Sequence, residues 1–103
     1  MKELIDKVQE LVTFELARAN TIHPPKFNSY HEAYAVILEE YEEAKDAFER
    51  AEWGKNLAWD YIKHDEDPDG MLKAMEKAAR EVAAEMIQVA AMCRKAREGE
   101  DLE

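Results

Sequence analysis

The sequence predicts an all-α protein, and three observations carry that reading. Apolar residues recur at three- and four-residue spacing along nearly the whole chain, and no segment sustains the two-residue alternation of a half-buried strand. The three glycines and three prolines punctuate long helical stretches instead of being scattered through them. Ser29 followed by Glu32 forms a capping box, the side-chain signature of a helix start. The expected architecture is a helical bundle of three long helices plus a short one, completed by oligomerisation, with one domain over residues 1–98 and a short C-terminal tail over 99–103.

The first helix is expected from about Lys2 to Asn20, with Leu4, Ile5, Val8, Leu11, Val12 and the stretch from Phe14 to Leu16 facing inward. It stops at TIHPPKFNS, where Pro24 and Pro25 forbid continuation. The second begins at the Ser29 cap and runs through HEAYAVILEEYEEAKDAFERAEW. Gly54 is expected to end or kink it, which leaves a short helix from about Asn56 to Lys63. HDEDPDG then turns the chain, and a last helix is expected from about Met71 to Arg97, stopped by Gly99. That helix is roughly 40 Å long, whereas a compact domain of this size has a diameter in the thirties of ångströms. Its excess length points to a homodimer or homotetramer whose long helices cover one another.

Composition excludes several functions. With 24 acidic against 14 basic residues the formal charge is −10, and no cluster of Lys and Arg longer than a pair occurs, so polymeric nucleic acid is not an expected partner. No glycine-rich phosphate loop is present. The single cysteine, Cys93, the charged start MKELIDKVQE and apolar runs too short to span a bilayer point to a cytoplasmic protein without a membrane partner.

The acidic residues carry more information by placement than by number. On the second helix Ala33, Val36, Ile37, Ala44, Ala47, Phe48 and Ala51 form an apolar stripe, and Glu40 and Glu43 fall within it. Glu39 and Glu42 point elsewhere. On the last helix Glu85 interrupts the face made by Ala78, Val82, Val89, Met92 and Ala96, with Gln88 beside it. A carboxylate on a core face needs compensation. It can snorkel or pair with Lys77, Arg80, Arg94 or Lys95, or else Glu40, Glu43 and Glu85 converge on a divalent cation, for which hard oxygen ligands suit Mg²⁺.

FNSYHEAYAVILEEYEEA and EMIQVAAMCRKA together resemble the MazG-like, all-α nucleoside triphosphate pyrophosphohydrolases, notably the small phage and bacterial forms. That family carries an EExxE motif on one helix and ExxD on a later one. Glu39-Glu40-Tyr41-Glu42-Glu43 satisfies the first, and Glu85-Met86-Ile87-Gln88 stands at the second with Gln in place of Asp. The interval between the motifs is also longer than in the family, through the WGKNLAWDYIKHDEDPDG segment. The resemblance covers roughly Phe27 to Ala96. It implies a hydrolase that cleaves a nucleoside triphosphate to monophosphate and pyrophosphate, a nucleotide-pool housecleaning activity.

The resemblance further implies Mg²⁺, or Mn²⁺ in its place, on Glu40, Glu43, Glu85 and Gln88, with the three glutamates serving catalysis and Glu39 and Glu81 as secondary candidates. His31 and Lys95 are candidate substrate contacts. Tyr34, Trp53 and Trp59 are conceivable base contacts, although tryptophans at helical spacing more often belong to a core. Without the family Asp, a noncatalytic nucleotide-binding or helical interaction protein is the alternative. A further alternative is calcium binding, because Asp65, Asp67, Asp69, Gly70 and Glu76 match D-x-D-x-D-G-x5-E, the EF-hand loop, with Pro68 and Lys73 as departures from it.

Overall fold

The computed structural model describes residues 1–99, and among them every regular element is helical: α1 (Lys2–Ile22), α2 (Tyr30–Lys63) and α3 (Asp69–Glu98). Residues 100–103 of the expected tail lie outside the described residues. The short separate helix is not formed, since α2 runs unbroken past Gly54 to Lys63. Glycine lowers helix propensity by only about 1 kcal/mol, and packing at Gly54 outweighs that.

The chain divides into two compact units. Among the described residues one comprises 1–41 and 85–99; the other comprises Glu42–Ala84. In the first, Ala19, Phe27, Ala33, Ala91, Met92 and Ala96 form the core, with Val12, Leu16, Val36 and Ile37 packed against it. Four of the six core residues are alanines, so the backbones of three helices approach closely around short side chains. Arg94 Nη1 donates to Thr13 Oγ1 at 2.8 Å and ties α3 to α1. The Ser29 cap forms as expected, its Oγ accepting the backbone N–H of Glu32 at 3.1 Å. The Glu32 carboxylate accepts instead from Asn28 Nδ2, at 2.9 Å.

The second unit is a helical hairpin. Ala44, Ala47, Ala51, Gly54 and Ala58 are buried at alternating three- and four-residue spacing along α2. A Cβ built on Gly54 would lie 3.2 Å from the backbone nitrogen of Met75 on α3, so glycine permits the close approach of the two helices. Arg50 Nη2 reaches Glu81 Oε2 at 2.9 Å across the pair. The turn is closed by a Schellman arrangement: Glu66 N–H bonds Tyr61 O at 2.8 Å, and Asp65 N–H bonds Ile62 O at 3.1 Å. Asp65 takes the left-handed conformation this needs, with φ 54°.

That turn departs from the shape of an EF-hand loop. α3 already begins at Asp69, so Asp69 and Gly70, which the loop motif places in its turn, are helical. Asp67 Oδ1 accepts the backbone N–H of Asp69 at 3.0 Å, Asp69 pairs with Lys73, and Glu76 pairs with Arg80.

Several expected core residues lie outside. Leu4, Ile5, Leu11 and Phe14 of α1 are exposed, as are Phe48, Trp53 and Trp59 of α2. The inward face of α1 is narrower than its apolar face, and Val12, Leu16 and Ala19 fill it. No described helix is long and apolar enough to cross a membrane. Gly54→Leu is expected to destabilise the protein by about 1–3 kcal/mol through the clash with the Met75 backbone, measured as a lower urea midpoint.

Candidate metal centre

Glu40 sits on α2 and Glu85 on α3, each half-buried, beside the alanine-rich core of the first unit. Glu43 follows Glu40 by one turn of the same unbroken helix, and its side chain is exposed. Each of the three offers a carboxylate oxygen, and these oxygens lie within 4.8 Å of one another. Three negative charges at that separation repel unless donors or a cation lie between them.

Gln88 is the neighbour that supplies donors. With its carboxamide nitrogen toward the cluster it donates to Glu40 Oε2 at 2.9 Å and to Glu85 Oε2 at 3.0 Å. Turned the other way, the amide oxygen would face only acceptors, so hydrogen-bond chemistry selects this orientation. The residue that departs from the ExxD pattern therefore bridges the two helices. An aspartate there could not, since an ionised carboxylate only accepts.

The donor set suits a hard divalent cation. Three carboxylates contribute oxygen, and Gln88 adds a fourth ligand if its amide turns over and presents the carbonyl. The two secondary candidates behave differently. Glu39 is exposed and Glu81 is engaged by Arg50, with Lys77 at 4.0 Å, so neither belongs to the cluster. The Arg50 hydrogen bond lowers the pKa of Glu81.

A cavity of about 120 Å³ adjoins the carboxylates, lined by Glu15, Arg18, His23, Glu40, Gln88 and Met92 among others. Arg18 Nε and Nη2 donate to the two oxygens of Glu15 at 2.9 and 2.6 Å. That bidentate pairing lowers the pKa of Glu15, with burial opposing it. A second cavity, of about 180 Å³, shares Ala19, His23, Val36 and Met92 with the first and extends to Lys26, Phe27, Glu32 and Lys95. Lys95 is thus placed on the cavity wall, only 6% exposed, with Nζ 4.6 Å from the centre of the Phe27 ring. Burial lowers its pKa, and Glu32 partly restores it.

His31 is exposed in the first turn of α2 and lines neither cavity, so it is not placed as a substrate contact. His23 lines both, although nothing in the TIHPP turn distinguishes it from an ordinary loop residue. Glu15 and Arg18 are recognisable in the sequence only as an ordinary i, i+3 pair. No family model, curated protein or solved structure matches the chain.

Two outcomes follow from these charges. In metal-free buffer Gln88→Leu is expected to lower unfolding free energy by about 1–3 kcal/mol, because Glu40 and Glu85 lose their shared donor; calorimetry reads this as a lower melting temperature. The Glu15 pKa is depressed in the folded state, so its stabilisation is complete above the ordinary glutamate range and is lost as pH falls through the folded value. Between about pH 5 and pH 3, Arg18→Gln is expected to lose less stability than the wild type in urea titrations.

Proposed function

We propose that this chain is a Mg²⁺-dependent nucleoside triphosphate pyrophosphohydrolase of the MazG-like class, a cytoplasmic enzyme that cleaves an NTP to NMP and pyrophosphate. The observation that carries the reading is the convergence of Glu40, Glu43 and Glu85, the acidic residues that the EExxE and ExxD resemblance singles out. A bound divalent cation neutralises phosphate charge and lowers the pKa of a bound water. The protein's own part is to position and to move protons. Glu40 and Glu85 would hold the cation, and the exposed Glu43 would take up a proton from the water that attacks the α-phosphorus as pyrophosphate leaves. Arg18, which lines the adjoining cavity with Nε and Nη2 held by Glu15, would meet the departing phosphates through Nη1.

The same reading includes self-association. Leu4, Leu11 and Phe14 on α1 are exposed, at 60%, 49% and 67%, as are Tyr34 and Tyr41 on α2. Apolar surface of this kind is normally covered in solution, and a homodimer or homotetramer covers it.

Gln88 favours a second reading, a nucleotide-binding relative without turnover. Its amide satisfies two carboxylates with no cation, which an aspartate cannot do. A panel of NTPs and dNTPs with Mg²⁺ or Mn²⁺, assayed for monophosphate and pyrophosphate, separates the two. Turnover lost by at least about 100-fold in Glu40→Ala and Glu43→Ala supports the enzyme. Activity that survives both substitutions overturns the site, and tight binding with no product favours the binding protein. Gln88→Asp, which restores the fourth carboxylate, is expected to tighten metal binding by about tenfold, read by Mn²⁺ titration.

A further inference from the structure

Lys95 is the buried charged side chain among the described residues, and a buried ammonium calls for an explanation. Its ammonium lies over the face of Phe27. The carboxylate acting on it is that of Glu32, which lines the same cavity without pairing to it directly. Glu32 is itself held in place: Asn28 donates to Oε2, and Ser29 caps the turn that carries it. A donor-only group and an acceptor-only group thus line one cavity.

Their distance from the carboxylate cluster is set by helix geometry. Lys95 lies seven residues beyond Gln88 on α3, and Glu32 eight residues before Glu40 on α2, or about 10 and 12 Å along the axes. The two cavities are neighbours, sharing Ala19, His23, Val36 and Met92 in their walls. A nucleotide whose phosphates lie at Glu40 would extend its base into the Phe27 cavity.

We propose that Lys95 and Glu32 read the edge of that base, and that the base they select is guanine; the proposal rests on the nucleotide reading above. Guanine presents O6 and N7 as acceptors, which an ammonium matches. Beside them it presents N1–H and N2–H, two donors that a carboxylate accepts together. Adenine, held in the same orientation by its phosphates, turns an amino group toward Lys95 and an unprotonated N1 toward Glu32. Both contacts are then mismatched and partly desolvated. A pyrimidine anchored by the same phosphates falls one ring short.

The test is equilibrium calorimetry with GTP, ATP, CTP and UTP in Ca²⁺, on wild type, Glu32→Gln and Lys95→Met, with circular dichroism to establish folding. GTP is expected to bind about 10- to 100-fold more tightly than the others. Glu32→Gln, at an exposed position that tolerates the change, is expected to weaken GTP and leave ATP within about twofold. Equal binding of all four triphosphates by the wild type overturns the base assignment and leaves the nucleotide reading intact. Equal weakening of all four by Lys95→Met overturns it too, since Lys95 would then be holding phosphate. If Lys95→Met does not fold, Glu32→Gln decides alone, and an unchanged GTP preference in it refutes the proposal. Failure of every triphosphate to bind overturns both readings.

Discussion

Glu40 and Glu85 are like charges on separate helices, held beside one another by the alanine packing next to them. Ala33, Ala91 and Ala96 let the helices of the first unit approach closely, and carboxylates on facing surfaces are thereby forced into a small volume. That arrangement is electrostatically unfavourable by itself. Its persistence requires donors or a cation in the space, and Gln88 supplies two N–H groups to it. The alanine core, the Gln88 bridge and the cavity alongside are therefore parts of one constraint.

The same constraint changes what Gln88 means. Viewed as a string, Gln88 is a neutral residue three places after Glu85. Viewed in place, it adds a neutral group able to donate to two carboxylates or, turned over, to offer an oxygen to a cation. One side chain can thus present either donors or an acceptor to the cluster by rotation about a single bond. The net charge of −10 has little to do with this, because ion pairs such as Lys73–Asp69 and Arg80–Glu76 are solvated helix surface.

Local chemistry was legible in particular residues. The Ser29 cap, the break at Pro24 and Pro25 and the three long helices follow from spacing and side-chain hydrogen bonding over a few residues. Periodicity also placed Glu40, Glu43 and Glu85 on apolar stripes; Glu40 and Glu85 are half-buried, Glu43 is exposed, and the three offer oxygens within 4.8 Å of one another. The failures have a common cause. Gly54 reads as a breaker until the Met75 backbone is known to lie against it. The last helix reads as starting at Met71 until α3 is seen to take in Asp69 and Gly70 of the EF-hand string. Phe14, Phe48 and Trp53 read as core because an apolar face is wider than the strip that its neighbours cover.

The sequence by itself determined that the chain is helical, where its helices start, and which carboxylates lie on the apolar stripes, because helix periodicity depends only on neighbours within about four residues. Tertiary structure decided that Gln88 joins Glu40 to Glu85, that Glu81 goes to Arg50 instead, and that Lys95 is buried over Phe27 opposite Glu32. Each of those contacts joins residues far apart in the chain. Their distances depend on how closely the helices approach, which is set by the fit of alanine and glycine against a facing helix and not by any local preference.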